Sequence, residues 1–428
     1  MPSVSEDLAF RGLVHQVSDK ALWPLLDAGQ LTAYAGFDPT SDSLHIGNLI
    51  GIITLRRLQE AGNRPILLAG GGTGLIGDPG GKSEERPLVS RELLRAYVEK
   101  IRDQLGRYLD LSAAAGDAQG MLLDNSEWLS TYGFIEFLRD VGKHFTVNQM
   151  VAKESVRARI ERAEQGISYT EFSYMLLQAA DYLHLHETYG CRLQLGGSDQ
   201  WGNITVGLEL IRKGRRGDAF ALTWPLLLRA DGTKYGKSEG GAIWLDADKT
   251  SPYMLYQWFV RTPDDVVGQL VRYFTFFDHD EIRSLDEATS THPERREAQR
   301  ALARAVCTLV HGESETERAE AAARSLYSDD VTTLDERTLL EVFADAPSTT
   351  LDRSGLDGEG LDLVDVLASS GLVASKSAGR TAVSQGGAYV NNRRRSTDDA
   401  RITRGDLLAD RYVVVRRGRR DYHLLRFG

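Results

Sequence analysis

The chain has 428 residues, of which 42% are hydrophobic and 26% are charged, so it is globular and too long for one ordinary core. A formal net charge of −10 excludes indiscriminate nucleic-acid binding, and no apolar run is long enough to span a membrane. The first residues lack the features of a signal peptide, and Cys191 and Cys307 match no metal-binding spacing. We therefore expect two or three domains, no metal site and a cytoplasmic setting.

The first half of the sequence predicts strands that alternate with helices. Strands are predicted at 31–37, 65–69, 121–124 and 192–196, and helices follow His45, Arg91, Ser168 and Ser198. Such alternation predicts an α/β fold, with a Rossmann-like parallel sheet covered on both faces. Polar clusters follow these strands, at the carboxyl ends where such sheets bind ligands.

The second half predicts a different organisation. Residues 251–327 have a helical pattern, whereas 344–360 are rich in Pro, Ser, Thr, Asp and Gly. Two short helices, a turn at Asn391-Asn392 and β-prone runs follow Leu361. The predicted domains are a catalytic domain at 1–225, an α-helical domain with a lysine loop at 226–343, a linker at 344–360 and a small α+β domain at 361–428.

The charge is unevenly distributed along the chain. Residues 371–428 contain 13 Lys and Arg against 5 Asp and Glu, although the whole chain is acidic. A basic tail on an acidic body predicts one anionic partner that is bound at one end of the molecule.

Two widely separated segments together predict a nucleotide site. Residues 45–48 read His-Ile-Gly-Asn at the start of a helix, where free backbone N–H groups favour a phosphate or ribose oxygen and the glycine allows close approach. Residues 234–238 read Lys-Tyr-Gly-Lys-Ser and put two lysines on a glycine-containing loop. Such donors and cations suit a nucleoside triphosphate whose departing pyrophosphate gains negative charge in the transition state.

Two further segments are candidates for ligand binding. Residues 77–86 form a loop with a lysine and an arginine but without P-loop spacing, so it is either a source of cations or a plain surface turn. In the helix after Ser168, whose start resembles a capping box, Tyr174, Gln178 and Asp181 fall on one face. A small amino acid could lie along this stripe, and the alternative is a solvated helix face.

Taken together, these segments resemble the bacterial-type tyrosyl-tRNA synthetases, a family of class I aminoacyl-tRNA synthetases. The resemblance covers nearly the whole chain and is carried by residues 34–40, 76–79, 170–174, 197–203 and 234–238. It implies an ATP-dependent ligase that makes tyrosyl-adenylate and pyrophosphate and then transfers tyrosine to the 3′ end of tRNA(Tyr). It also implies Mg-ATP as a substrate, no tightly bound cofactor, a homodimer, an RNA-binding tail, and no membrane or DNA partner.

The resemblance implies roles for individual residues. Tyrosine would be bound through its phenol hydroxyl by Tyr34 and Asp181, through its ammonium group by Asp78, Tyr174 and Gln178, and near its carboxylate by Gln200. The ATP site would be lined by Gly36, Asp38, Gly47, Asn48, Gly197, Asp199, Lys237 and Ser238. The transition state in which pyrophosphate leaves would be stabilised by His45, Lys82, Arg86, Lys234 and Lys237.

The sequence departs from the family pattern at a few positions, and two alternatives stay open. Asn48 replaces the usual second histidine but can still donate a hydrogen bond, and neither Ala35 nor Gly51 can make the side-chain contacts to ribose that some members make. One alternative is a tryptophan-specific class I synthetase, although an indole does not need the pair Tyr34 and Asp181. The other is a non-catalytic RNA-binding or splicing-support protein, against which the intact histidine and lysines argue.

Overall fold

The computed structural model describes residues 2–79, 89–153, 156, 157, 160, 166–215, 217–227, 237, 238, 241–325, 329–344, 346–396, 400–418 and 421–428. The chain divides into two compact units, Met1–Thr250 with Thr262–Leu302, and Ser251–Arg261 with Ala303–Gly428. These units do not coincide with the domain boundaries at residues 225 and 343, which stay predictions. None of the helices in the described ranges is long and apolar enough to cross a membrane.

In chain order, the α-helices are α1 (Val4–Phe10), α2 (Leu22–Asp27), α3 (Ile46–Glu60), α4 (Arg91–Leu105), α5 (Ser126–Leu129), α6 (Phe134–Asp140), α7 (Val147–Val151), α8 (Tyr169–Tyr189), α9 (Trp201–Arg215), α10 (Pro252–Val260), α11 (Asp264–Phe274), α12 (His279–Thr291), α13 (Glu297–His311), α14 (Glu313–Ser325), α15 (Glu336–Val342), α16 (Leu363–Ser369) and α17 (Lys376–Ser384). The β-strands are β1 (Gln16–Val17), β2 (Thr32–Phe37), β3 (Arg64–Ala69), β4 (Met121–Asp124), β5 (Cys191–Gly197), β6 (Phe220–Trp224), β7 (Lys237–Ser238), β8 (Gly241–Ala242), β9 (Ser348–Leu351), β10 (Leu361–Asp362), β11 (Ala388–Val390), β12 (Arg393–Arg395), β13 (Arg401–Ile402), β14 (Tyr412–Arg417) and β15 (Asp421–Phe427).

The first unit is built on a largely parallel sheet. In the part of the chain that the structure describes, its strands follow the order β1-β6-β5-β2-β3-β4, with β1 antiparallel to β6 and the other neighbours parallel. The predicted α/β alternation is confirmed, and β3 is the continuous buried run expected of a strand covered on both faces. Because β3 and β5 lie on opposite sides of β2, the chain order reverses between β2 and β5, where such sheets bind ligands.

Helix α8 begins where its sequence predicts, and its polar stripe faces inward. The Ser168 hydroxyl accepts a hydrogen bond from the Glu171 N–H at 3.2 Å, which caps the first turn. Gly190 follows the last turn with a φ of 63°, the left-handed conformation that favours glycine. Tyr174 and Asp181 are only 5% and 2% exposed, so the solvated-face alternative is wrong for these two residues.

The chain ends in a small α+β domain within the second unit. Among the described residues, its main sheet has the order β12-β11-β14-β15-β9, and a smaller ladder joins β10 to β13. Helices α16 and α17 contribute to a hydrophobic core with this sheet through Leu363, Leu367, Val383, Val413 and Val415. The predicted succession of two short helices and β-prone runs is therefore confirmed.

The prediction of a linker at 344–360 is wrong. β9 pairs in parallel with β15, and Leu356 is 3% exposed within the core of the small domain. β9 lies at the edge of its sheet and alternates between exposed and half-buried residues, which explains its polar composition. The composition of this segment indicated solvent exposure correctly, but it could not indicate pairing with a strand 76 residues further along the chain.

The turn predicted at Asn391-Asn392 is confirmed between β11 and β12. Both residues have positive φ, 48° and 60°, as the tight turn of a right-twisted hairpin requires. Asn391 Nδ2 donates to the Asp406 carbonyl at 2.6 Å, and its Oδ1 accepts from the Val414 N–H at 2.9 Å. The Asn391 side chain therefore satisfies two backbone groups from other parts of the domain.

We expect Asn391→Ala to lower the local free energy of unfolding by roughly 2–4 kcal/mol, because alanine disfavours positive φ and leaves both backbone groups unpaired. Asn391→Gly loses the same hydrogen bonds but tolerates the backbone, so it should cost about 1 kcal/mol less. Hydrogen exchange of the β11 and β14 amides in the full-length protein measures both values. Equal losses in the two variants would show that backbone conformation contributes nothing at this turn.

Candidate active site

A cavity of about 260 Å³ lies at the carboxyl ends of β2 and β5. It is lined by the ends of strands, the start of α3 and the inward face of α8. The predicted site residues that line it are Tyr34, Gly36, Asp38, His45, Gly47, Asn48, Asp78, Tyr174, Gln178, Asp181, Gly197 and Gln200. The lining also includes residues that the sequence analysis did not single out, among them Thr73, Asn125, Gln194 and Trp224.

Some of the predicted site residues do not line this cavity or lie outside the described part of the chain. Asp199 lies in a short turn between Gly197 and Gln200 and is not itself part of the cavity lining in the described ranges. Lys82, Arg86 and Lys234 lie outside the described residues, and so do the side chains of Lys237 and Ser238, whose backbone forms β7.

A closed chain of hydrogen bonds ties α8 to the ends of three neighbouring strands. Asn125, which follows β4, donates from Nδ2 to Asp181 Oδ2 at 2.8 Å and to Thr73 Oγ1 at 3.0 Å. Thr73, which follows β3, donates to Asp38 Oδ1 at 2.7 Å. Asp38 follows β2, and its Oδ2 accepts from the Tyr174 hydroxyl at 2.7 Å. Because Tyr174 and Asp181 both belong to α8, the chain returns to the helix from which it starts.

The carboxyl group of Asp181 is buried and held by two donors. Its Oδ1 accepts from Trp128 Nε1 at 2.8 Å, in addition to the bond from Asn125. Burial raises the pKa of Asp181 to about 8, and the two hydrogen bonds oppose this rise. The Trp128 indole is stacked on the His184 ring, with centroids 4.3 Å apart. Sequence analysis missed Asn125 and Trp128, although their position directly after a predicted strand was a usable signal.

The inner part of the cavity contains two unpaired polar atoms. The Tyr34 hydroxyl and the Gln194 amide oxygen are buried without a hydrogen-bond partner among the described residues. Tyr34 and Gln194 are opposite each other in β2 and β5, and both line the cavity. A buried unpaired polar group costs about 1–3 kcal/mol, so this region suits a ligand that carries polar groups. Burial raises the pKa of Tyr34 well above its ordinary value, which keeps its hydroxyl protonated.

His45 caps the first turn of α3, and this sets its tautomer. Its Nδ1 accepts from the Gly47 N–H at 3.0 Å, while Asn48 Oδ1 accepts from the His45 N–H at 3.0 Å. In a neutral ring the proton then lies on Nε2, which becomes the donor. A Cβ atom on Gly47 would lie 2.9 Å from His45 Cε1, so the glycine makes room for the imidazole in addition to any ligand.

Two other contacts shape the cavity wall. Gln200 Nε2 donates to Asp78 Oδ2 at 2.6 Å, so these two predicted tyrosine-binding residues are bonded to each other. A Cβ atom on Gly51 would lie 2.9 Å from Trp224 Cη2, which shows that the glycine accommodates a cavity-lining indole. In the described ranges, no group of three or more His, Cys, Asp or Glu side chains could hold a metal ion.

Comparison with known families accounts for this fold. Residues 26–328 match the family described as tRNA synthetases class I (W and Y), so the first part of the chain has the class I synthetase fold. Residues 338–425 match the tyrosine–tRNA ligase SYY-like C-terminal domain. A tyrosine–tRNA ligase from Roseiflexus castenholzii is 50% identical over 426 residues and covers 100% of both chains. One from Bacillus caldotenax is 49% identical over 98% of this chain and 99% of its own. The chain therefore belongs to the tyrosine–tRNA ligase family.

The solved structures agree with this assignment. A C-terminally truncated mitochondrial tyrosyl-tRNA synthetase from Aspergillus nidulans has a TM-score of 0.69 and 32% identity, over 76% of this chain and 95% of its own. A tryptophanyl-tRNA synthetase from Plasmodium falciparum shares the fold alone, with 16% identity and a TM-score of 0.54. The predicted class of enzyme, an ATP-dependent ligase, is confirmed, and the tryptophan alternative is not supported.

The raised pKa of Asp181 predicts a pH-dependent stability difference between the protein and its Asp181→Asn variant. An aspartate in an unfolded chain titrates near pH 4, so between about pH 4 and 8 the native state holds a proton that the unfolded state has lost. The unfolding free energy of the unsubstituted protein should therefore fall relative to that of Asp181→Asn as the pH rises, by up to about 1.4 kcal/mol per pH unit.

Urea unfolding at pH 5, 6, 7 and 8 measures this difference. Asp110→Asn is the control, because Asp110 is fully exposed and hydrogen bonds from Ser112 lower its pKa, which places its titration below this pH range. Parallel stability curves for the unsubstituted protein and Asp181→Asn would contradict the prediction.

Proposed function

We propose that this protein activates L-tyrosine with ATP, giving tyrosyl-adenylate and pyrophosphate, and then transfers tyrosine to the 3′ end of tRNA(Tyr). The observation that carries the proposal is the presence of Tyr34 and Asp181 in one cavity of a chain that matches tyrosine–tRNA ligases over its full length. A phenol hydroxyl both donates and accepts hydrogen bonds. The Tyr34 hydroxyl can donate to it, and an oxygen of the Asp181 carboxyl group can accept from it.

The other end of tyrosine carries an ammonium and a carboxylate group, for which the same cavity has candidate partners. We assign the ammonium group to Asp78, Tyr174 and Gln178 and place the carboxylate near Gln200. All four residues line the cavity, which supports this orientation. The hydrogen bond from Gln200 to Asp78 keeps the Asp78 carboxylate beside the Gln200 amide.

ATP is assigned to the side of the cavity formed by the start of α3 and the turn after β5. The nucleotide would contact Gly36, Asp38, Gly47, Asn48, Gly197, Asp199 and Ser238. His45 would donate from Nε2 to the α-phosphate, and Lys82, Arg86, Lys234 and Lys237 would stabilise the departing pyrophosphate. Mg²⁺ would enter with ATP, held mainly by phosphates and water. Catalysis then consists of positioning and electrostatic stabilisation, without a covalent enzyme intermediate.

We also propose that the protein is a homodimer and acts in the cytoplasm. Helices α6 and α7 carry Phe134, Ile135 and Val147, which are 68%, 73% and 64% exposed. Large exposed apolar side chains grouped on neighbouring segments are typical of a protein–protein interface. Their exposure in one chain supports association with a second copy.

Tyrosine-dependent exchange of pyrophosphate into ATP by the purified protein tests the first step, and charging of tRNA(Tyr) tests the second. The proposal requires exchange with tyrosine and none with tryptophan. Exchange that depends on tryptophan, or charging of a different tRNA alone, would contradict it.

Tyr34→Phe should weaken discrimination between tyrosine and phenylalanine. Phenylalanine leaves the Tyr34 hydroxyl unpaired, at about 1–3 kcal/mol for a neutral group. Removing the Tyr34 hydroxyl removes this penalty, so the ratio of the kcat/KM values for tyrosine and phenylalanine in pyrophosphate exchange should fall by about 5- to 150-fold.

Tyr182→Phe is the matched control for this substitution. The Tyr182 ring lies 5.3 Å from that of Tyr34, but its hydroxyl donates to the Phe220 carbonyl at 2.7 Å. Tyr182→Phe should lower the free energy of unfolding and leave the ratio of the kcat/KM values for tyrosine and phenylalanine unchanged. If both variants alter the ratio equally, or neither does, the phenol hydroxyl is recognised elsewhere.

The basic tail should contribute to tRNA binding and not to activation. Arg393 in β12 and Arg417 in β14 are both exposed, and the domain that carries them has a positive charge excess. Changing both to Glu should raise KM for tRNA and reduce its dependence on salt, because fewer phosphates are neutralised. Pyrophosphate exchange without tRNA should stay unchanged. Arg283→Glu, at an exposed arginine of α12, is the control, and an equal effect of this control on KM would contradict a specific role for the tail.

A further inference from the structure

The segment that follows β8 is paired with the loop that leads into α3. Two backbone hydrogen bonds, of 2.9 and 2.8 Å, join residues 44–46 to residues 243–245. They lie on either side of His45 and Trp244, which face each other in an antiparallel bridge. We refer to residues 42–46 together with residues 243–249 as the clasp.

The outer side of the clasp is held by one carboxylate. Asp42 forms ion pairs with Lys249 of the clasp and, at 3.0 Å, with Lys100 of α4. Hydrogen bonds from Lys249 and Lys100 hold the pKa of Asp42 well below its ordinary value, so it is ionised at neutral pH. The Lys249 ammonium also lies 4.7 Å from the centroid of the Trp244 ring. A single charged group therefore connects α4, the loop before α3 and the segment after β8.

The inner side of the clasp is held by buried polar groups. Gln104 of α4 accepts from the Leu44 N–H at 2.8 Å through its Oε1 atom. Ser43 Oγ accepts from the Asp246 N–H at 3.2 Å. Ser43 and Gln104 are both buried, so releasing these bonds would leave polar groups unpaired. The backbone directly before His45 is thus supported by two other parts of the first unit.

These contacts complement the support that His45 receives from α3. Gly47 and Asn48 set the tautomer and the start of the helix, but they belong to the same helical turn as His45. The clasp connects that turn to α4 and to residues 243–249. Its Trp244 ring lies 6.2 Å, centroid to centroid, from the imidazole.

We propose that the clasp positions His45 for adenylate formation, with Asp42, Lys249 and Trp244 as positioning residues. The proposal rests on the role proposed above for His45 at the α-phosphate. A displacement of about 1 Å in a catalytic group can reduce the rate by about 10²-fold. Weakening the clasp should therefore slow activation without changing the affinity for tyrosine.

The test compares Asp42→Asn, in the loop before α3, with a matched neutralisation at the far end of α3. Asp42→Asn keeps the shape of the side chain and removes the charge that both lysines share. Glu60→Gln removes the charge from the Arg56–Glu60 pair, of 3.1 Å, at the far end of α3. We expect kcat for tyrosine-dependent pyrophosphate exchange to fall about tenfold in Asp42→Asn only, with the tyrosine Kd unchanged. An unchanged kcat would overturn the proposal.

A double-mutant cycle shows whether Asp42 acts through His45. In a His45→Ala background, Asp42→Asn should cause no further loss of kcat, because the group that it positions is absent. An equal loss in both backgrounds would overturn the proposal, and so would a normal rate for His45→Ala alone.

A measurement without activity separates this proposal from the proposed function. The NMR resonance of the His45 Cε1–H, assigned by its absence in His45→Ala, should shift in Asp42→Asn and stay in place in Glu60→Gln. An unchanged resonance in Asp42→Asn would overturn the clasp as a support of His45. A shifted resonance in a protein that shows no tyrosine-dependent exchange would support the clasp and contradict the proposed function.

Discussion

The closed hydrogen-bond chain from Asp181 through Asn125, Thr73 and Asp38 to Tyr174 is the constraint on which the site depends. A buried carboxyl group is tolerated only when its oxygens are paired. The buried Asp181 accepts hydrogen bonds from Asn125 and Trp128, which follow β4. The half-buried Asp38 accepts from Thr73, which follows β3, and from Tyr174 of α8. The helix is thereby held against β2, β3 and β4 by polar bonds, and the cavity wall is defined at the same time.

The hydrogen-bond partners also distinguish polar groups that are bonded within the protein from polar groups that are open to a ligand. Asp181 has two donors from the protein, whereas the Tyr34 hydroxyl and the Gln194 amide oxygen have no partner among the described residues. The Tyr34 hydroxyl is available as a donor, and the Asp181 carboxyl group is already oriented by its two protein donors. Together they suit a ligand whose ring carries a hydroxyl group better than one whose ring is unsubstituted. Selectivity of this kind comes from the cost of unpaired groups more than from the shape of an apolar pocket.

His45, which we propose as a charge-stabilising group, is oriented by the protein before any ligand binds. The first turn of α3 determines which nitrogen carries the proton, and the clasp connects that turn to α4 and to residues 243–249. Residues 237 and 238, in the second of the two predicted nucleotide motifs, form β7, and β8 lies between them and the segment that pairs with the His45 loop. Electrostatic stabilisation requires such prior orientation, since reorganising donors during the reaction would cost part of their effect.

The sequence by itself determined the features that depend on neighbouring residues. The α/β alternation, the Ser168 cap of α8, the polar stripe on one face of that helix and the Asn391-Asn392 turn follow from periodicity, capping and backbone preference, which act over a few residues. The resemblance to a known family also indicated about half of the residues that line the cavity. Only the tertiary structure decided which distant residues meet. Asn125 and Trp128 bind Asp181, Gln194 lies beside Tyr34, and β9 joins a sheet where composition predicted a linker. These partners are separated by many residues, and the free energy of their contacts comes from burial and pairing in the folded chain, which no local pattern records.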